Sequence, residues 1–276
     1  MSHLHVIILG IIQGIAEFLP ISSSGHIVIA NAILTELPGG GKLPDTNDLN
    51  ITLHAGTLLS ILVIYWRRIV RLLSSDRAVI PKIIVGTLPV VASGLILTKH
   101  FPHWLDNPLL AGCMLPVTGL LLLWAARRPL GELDYTDLTY GKALVIGLFQ
   151  AVAPLPGISR SGTTIAAGLA VGLSRQAAAT FSFLLAIPAL GGAIFLKTWQ
   201  LIAHQSVKST PVGIAGSPLS SPGTLLAIGA AVSFVVGLLA LCWLIRWLEK
   251  GRIQYFAYWC IPVGIAVVVW QLVKGA

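Results

Sequence analysis

Glu17, Ser22, Ser23, Ser24 and His26 fall within one ten-residue stretch, EFLPISSSGH (17–26), inside a run of apolar residues. A carboxylate can take a proton, orient a partner or hold a divalent cation, and a serine hydroxyl or an imidazole can attack phosphorus. Ionisable groups at membrane depth cost at least about 2.5–3.5 kcal/mol each on insertion scales. Of the ten acidic residues only Glu17 lies in the apolar interior, and Arg160 is the one basic residue of a second interrupted stretch, PGISRSGTT (156–164). Two such groups facing each other offset that cost by pairing together or with a charged ligand; the plainer alternative is an ion pair that only fixes structure.

The second stretch predicts a phosphate site. It places Ser159, Arg160, Ser161, Thr163 and Thr164 at the start of a short helix. Backbone N–H groups there point at an anion, the hydroxyls can donate further, and a guanidinium can clasp two oxygens. A capped helix with an incidental arginine would explain one serine but not the set. A G-x-S-x-G hydrolase elbow fits poorly, because no nearby Asp or Glu completes a triad. His26 could attack phosphorus or take a proton from serine, with Glu17 as its orienter, base or cation ligand. His54, at the head of a span in LHAGT, reads as structural, and the remaining histidines are too scattered for a metal site.

The elements that must position these residues follow from an internal repeat. LGIIQGIAEFLPISSSG (9–25) lies without a gap over IGLFQAVAPLPGISRSG (146–162), so that Gly10 meets Gly147, Gln13 meets Gln150, Ser22 meets Ser159 and Gly25 meets Gly162. Apolar segments match Leu and Ile by chance, but rarely Gln, Ser and Gly in register. Each copy is a Pro/Gly/Ser-broken hairpin followed by three spans: 51–66, 80–98 and 109–126, then 177–197, 224–246 and 255–273. An odd number of crossings inverts the second copy. The expected fold is therefore an all-α integral membrane protein with an inverted-topology repeat, two re-entrant hairpins meeting near the midplane where irregular backbone is tolerated. The expected organisation is one membrane domain over 1–276: repeat one at 1–130, a cytoplasmic linker at 127–141, and repeat two at 142–276. The loop at 198–222 reads as a flexible connection, and that at 35–50 as a rim beside the first hairpin.

Composition agrees: of the 276 residues 55% are hydrophobic and 10% charged, against about 25% charged in soluble domains. The net charge of +8 does not imply nucleic acid once its residues are placed. Arg67, Arg68, Arg71, Arg77, Lys82, Arg127, Arg128, Lys142, Arg175, Arg246, Lys250 and Arg252 fall on one side. Lys42, Lys99, Lys197, Lys208 and Lys274 fall on the other, which makes the first side cytoplasmic. The apolar N-terminal segment lacks a basic start and a cleavage site, and reads as retained. Cys113, Cys242 and Cys260 read as buried small hydrophobes.

QGIAEFLPISSSGH, PGISRSGTT, SRQAAATFSFLLAIP and LHAGTLLSILVIYWRR together resemble the undecaprenyl-diphosphate phosphatase family associated with bacitracin resistance in bacteria, over nearly the whole chain. The resemblance implies a multi-pass enzyme of the bacterial plasma (inner) membrane. It would hydrolyse a polyprenyl diphosphate to the monophosphate carrier of cell-wall and peptidoglycan synthesis, supported by a divalent cation such as Mg or Ca. It implies Glu17 as the essential acidic residue, Ser23 and His26 as catalytic groups, Arg160 as the phosphate-binding arginine, and Ser159 and Thr164 as flanking ligands. The motif often carries a further Glu where this chain has Gln13, which leaves Gln13 as a weaker candidate metal ligand beside Glu17.

The expected reaction is attack by Ser23 or His26 on the terminal phosphorus, at a site opening toward the outer surface. Arg160 and the hydroxyls of Ser22, Ser24, Ser159, Ser161, Thr163 and Thr164 would bind phosphate. Two rivals stand beside it. A transporter or flippase of an anionic or lipid-phosphate substrate would explain the repeat but leave the Ser/His/Glu grouping without a task. A purely structural or partner-binding protein would tolerate replacement of Glu17, His26 and Arg160 together. A homodimer is compatible with each reading.

Overall fold

The computed structural model describes residues 3–36, 46–205 and 222–275. Much of the 35–50 rim and of the 198–222 connection, including Lys42 and Lys208, lies outside the described residues. In chain order the helices are α1 (His3–Phe18), α2 (Ser23–Glu36), α3 (Thr46–Ile64), α4 (Trp66–Leu72), α5 (Ile80–His100), α6 (Pro102–Leu105), α7 (Pro108–Ala126), α8 (Tyr140–Gln150), α9 (Arg160–Ala170), α10 (Arg175–Gln205), α11 (Pro222–Glu249) and α12 (Gln254–Gly275). Among the described residues there is no strand, only an isolated parallel bridge between Leu133 and Leu173. The chain is all-α.

Helices α5, α7, α10, α11 and α12 are long and apolar enough to cross a membrane, and α3 with α4 makes a sixth if their 74° bend falls within one span. That bend departs from the straight span expected over 51–66. Tyr65 sits at φ −94°, ψ 12°, outside the α region. Beyond it Trp66, Val70 and Leu73 are exposed beside Arg67 and Arg71, a composition that favours lying along the interface over crossing it. At other helix ends Arg128 stacks over Trp124 at 4.2 Å and Lys274 over Trp270 at 5.7 Å, where long basic chains and indoles meet headgroups.

Small residues let the spans approach. A Cβ on Gly112 would lie 2.9 Å from Val267 Cγ1, and one on Gly119 2.6 Å from Ile261 Cγ1, so α7 and α12 pack closely along their length. Contacts between helices come in corresponding sets: α1 packs on α11 as α8 does on α5, and α3 packs on α11 as α10 does on α5. The two short hairpins, α1–α2 and α8–α9, sit among these spans, with α2 and α9 both against α7.

The polar linker is not a loose connection. Tyr135 and Leu138 are buried within it. Tyr135 donates to Asp76 Oδ2 at 2.6 Å, Lys82 donates to the Thr136 carbonyl at 2.7 Å, and the Leu133 backbone bonds Gly172 and Ser174. The hydrogen bonds from Ser75 and Tyr135 hold the Asp76 carboxyl below its usual range, and burial together with the Asp76 bond raises the Tyr135 hydroxyl above its own.

Candidate active site

Both hairpin breaks are made by proline. α1 ends at Phe18, and Leu19, Pro20 and Ile21 turn the chain into Ser22, which has φ 71°. A left-handed serine is strained. Its Oγ accepts from Gly25 N at 3.2 Å as the cap of α2 and from Gly157 N at 3.1 Å across the hairpins, and meets Ser24 Oγ at 3.4 Å. In the other copy Ser159 caps α9 with ordinary extended backbone, accepting from Gly162 N at 3.1 Å. The positive φ there falls on Gly157, at 93°, where a Cβ would also run into the Ala111 carbonyl and lie 2.7 Å from Met114 Cβ. Thr118 of α7 clamps the same turn, donating to the Gly157 carbonyl at 2.8 Å and accepting from Ser159 N at 3.1 Å.

This clamp brings the first turns of α2 and α9 together on one carboxylate. Glu17 Oε1 accepts from Arg160 Nη2 at 2.9 Å, and Glu17 Oε2 accepts from Ser23 Oγ at 2.6 Å and from Gln13 Nε2 at 3.0 Å. The side chains of Glu17 and Arg160 are 5% and 13% exposed, so the pair is screened from water on nearly every side. Arg160 Nη1 reaches the Ser182 carbonyl of α10 at 3.4 Å. Ser23 and Ser24 are half-buried.

One neighbour of the carboxylate was not expected there. His54 of α3, read above as structural, places Nε2 3.7 Å from Glu17 Oε2. Its Nδ1 lies 2.7 Å from the Asn50 carbonyl, which requires a proton on Nδ1 and turns Nε2 to the carboxylate. The sequence signal was there: an imidazole in an apolar span, followed at helical spacing by Thr57 and Ser60.

His26 is placed differently from the expectation that Glu17 orients it. Its Nδ1 bonds the Ser22 carbonyl at 2.8 Å, and its Nε2 accepts from Trp259 Nε1 at 3.0 Å. It makes no hydrogen bond with Glu17, Ser23 or Arg160. The expected phosphate hydroxyls also divide. Ser22, Ser159, Ser161, Thr163 and Thr164 are all buried. Ser159 shares its hydroxyl with Ser161 at 3.2 Å, Ser161 reaches the Leu19 carbonyl at 3.5 Å, and Thr163 and Thr164 both donate to the Arg160 carbonyl. Thr164 also meets Ser182 Oγ at 2.6 Å. These groups hold the hairpins and the Arg160 backbone; of the residues expected at the phosphate, Ser23 and Arg160 are the two bonded to Glu17.

The donor set does not fit a cation held by protein alone. Glu17 is the site's one carboxylate, already accepting from Arg160, Ser23 and Gln13, and Gln13 offers it the amide N–H. Among the described residues no group of three or more His, Cys, Asp or Glu could hold a metal ion.

A sequence model of the family described as "Bacitracin resistance protein BacA" matches residues 6–266. The chain is 49% identical over 269 residues to an undecaprenyl-diphosphatase of Rhodopirellula baltica, covering 98% of each protein. It is 37% identical to an undecaprenyl-diphosphatase of Desulfatibacillum aliphaticivorans, over 98% of this chain and 99% of that one, and 33% identical to one of Bdellovibrio bacteriovorus, over 98% and 96%. With a polar site of paired hairpins buried among apolar helices and a match along nearly its whole length, the chain belongs to the BacA family of multi-pass bacterial membrane proteins.

Proposed function

We infer that the protein hydrolyses undecaprenyl diphosphate to undecaprenyl phosphate and inorganic phosphate in the bacterial inner membrane. This recycles the lipid carrier of cell-wall synthesis and confers bacitracin resistance. The observation that carries the residue-level reading is the 2.6 Å bond from Ser23 Oγ to Glu17 Oε2, on the carboxylate that Arg160 also holds. It favours Ser23 over His26 as nucleophile, since Glu17 can take the Ser23 proton while the Nε2 lone pair of His26 is engaged by the Trp259 N–H.

In this reading the diphosphate enters between the first turns of α2 and α9. Arg160 carries one N–H on Glu17 and has further donors for phosphate, so an arriving dianion draws the guanidinium toward itself and leaves Glu17 a better base. Ser23 Oγ then attacks the terminal phosphorus, its proton passes to Glu17, and the bond to the bridging oxygen breaks with polyprenyl phosphate leaving. Glu17 then hands this proton to the departing polyprenyl phosphate; water attacks the phosphoserine and gives a proton to the freed Glu17 carboxylate, which returns it to Ser23 Oγ as the Oγ–P bond breaks and inorganic phosphate leaves. The transition state spreads charge over the phosphoryl oxygens, so Arg160 and the free N–H groups of the α9 first turn supply most of the stabilisation. The inverted repeat belongs to the same proposal, supported by the corresponding helix contacts. So does a divalent cation, Mg or Ca, as a companion of the diphosphate and not a resident of the protein; phosphates and water commonly complete such a shell.

The test is release of inorganic phosphate from a polyprenyl diphosphate by purified protein in detergent. The wild type releases it and Ser23→Ala does not. A wild type that binds the lipid without cleaving it would favour the transporter reading.

A further inference from the structure

A polar cavity of about 230 Å³ lies where the C-terminal end of α3 meets the first turns of α10, on the side assigned as cytoplasmic by its arginines. Its polar wall is Arg67, Arg68 and Arg175 with Tyr65, Gln176 and Thr180. Ile64, Ile245 and Leu248 form an apolar wall opposite. No carboxylate lines it, and both ion pairs found among the described residues belong to Glu17. Arg68 leans on the Tyr135 hydroxyl at 3.4 Å, and Asp76 beyond that hydroxyl offsets part of its charge; Arg175 leans on the Glu249 carbonyl at 3.4 Å, a neutral partner that orients it without compensating it. Asp76, the carboxylate nearest by contact, is bonded to Tyr135 and Ser75. The first turn of α10 begins at Arg175, capped by Ser174 Oγ accepting from Ala177 N at 3.2 Å, and the positive end of this 31-residue helix adds to the same field.

The cavity is separate from the Glu17 site. Phe18, Phe183 and Tyr65, all buried, form a continuous plug between them, with ring centroids 5.9 Å apart for the first pair and 5.7 Å for the second. The two places nonetheless share α10, which offers the Ser182 carbonyl to Arg160 and, two residues earlier, Thr180 to the cavity.

We propose that this cavity is a second lipid-phosphate site, which takes the phosphate monoester headgroup of a prenyl chain. A phosphate monoester carries about −1.5 to −2 charge near neutral pH, which suits three guanidiniums in a wall without a carboxylate better than the single charge of a phosphodiester lipid. The volume is below the roughly 300–1,000 Å³ of pockets for drug-sized ligands, enough for a phosphate and the first carbons of its ester along Ile64, Ile245 and Leu248. That the monoester is the enzyme's own product rests on the function inferred above; the monoester chemistry rests on the cavity alone.

The test uses a photoreactive short-chain prenyl monophosphate on the full-length protein in nanodiscs, with labelled peptides mapped by mass spectrometry. Label falls on the segments around Tyr65–Arg68 and Gln176–Thr180, and excess farnesyl phosphate displaces it. Charge-assisted hydrogen bonds are worth about 1.5–3 kcal/mol, so Arg67→Gln and Arg175→Gln each weaken labelling roughly tenfold or more, while phosphate release from a diphosphate stays within about twofold. If a variant does not fold, the wild-type map and its competition still decide. The assignment is overturned by label confined to the Ser23–His26 and Arg160 segments, by labelling unchanged in both folded variants, or by equal displacement with phosphatidylglycerol or inorganic phosphate. Failure of wild-type turnover would reject the hydrolase reading without touching the labelling result.

Discussion

The two hairpins begin alike and end differently. Gln13 and Gln150 occupy the same place in the repeated sequence, but α1 continues to Phe18 while α8 stops at Gln150. The residue aligned with Glu17 is Pro154, which ends a helix by lacking an N–H and clashing with the preceding turn. The extra turn of α1 sets Glu17 four residues after Gln13 on one face, so Gln13 serves the carboxylate, whereas Gln150 Nε2 goes to the Gly86 carbonyl at 3.3 Å. The residue aligned with Arg160 is Ser23, and both meet on Glu17. In the proposed mechanism one arm carries the base and the hydroxyl and the other the guanidinium, which would put the chemistry where the copies diverge; what they share, Ser22 with Ser159 and Gly25 with Gly162, builds the joint.

The comparison can be broken at several points. Ser23→Ala, which removes the hydroxyl while sparing the Ser22 cap, is expected to lower turnover by roughly 10³-fold or more; phosphate release is the readout, and near-normal rates would deny Ser23 its role. Arg160→Lys keeps the charge but loses the fork, with an expected fall of about 10²–10³ in kcat/KM. An effect under about fivefold would make the Glu17–Arg160 pair structural.

The joint itself is asymmetric. A Cβ on Gly25 would lie 2.8 Å from the Gly157 backbone nitrogen, whereas one on Gly162 would meet only side chains, at 3.0 Å from Ser159 Cβ and 3.3 Å from Pro20 Cβ. Gly25→Ala should therefore cost about 1–3 kcal/mol of stability as overpacking does, and Gly162→Ala visibly less, in thermal unfolding of the detergent-solubilised protein. Equal losses would mean that the tips do not meet as described.

The smallest effect lies in the linker joining the two arms. With the Asp76 carboxyl held below its ordinary value, its bond with Tyr135 adds stability that is present above the usual carboxylate range and lost as pH falls through the lowered value. Tyr135→Phe should flatten that acid limb in melting curves taken against pH; an unchanged limb would remove this bond from the account.

Much of this was legible in the sequence. A lone carboxylate and a lone guanidinium in oil have few ways to be stable except together, and a repeat matching Gln, Ser and Gly locates the joint. Local spacing did not reveal His54, 37 residues from Glu17 along the chain yet 3.7 Å from it in space. Hydroxyls at a helix start fit capping and anion binding equally by type; geometry makes Ser159 the cap of α9 and turns Thr163 and Thr164 to the Arg160 carbonyl. Nor does a polar linker announce that Tyr135 is buried, or an apolar span that it bends at Tyr65 ahead of two arginines.

The most direct measurement is capture of the phosphoenzyme. Purified protein is mixed with a polyprenyl diphosphate, quenched in neutral denaturant so that acid-labile phosphohistidine survives, digested and mapped by mass spectrometry. The account predicts phosphate on Ser23 in the wild type and none in Glu17→Gln. Phosphate on His26, or on Ser23 undiminished without the Glu17 carboxylate, would contradict it.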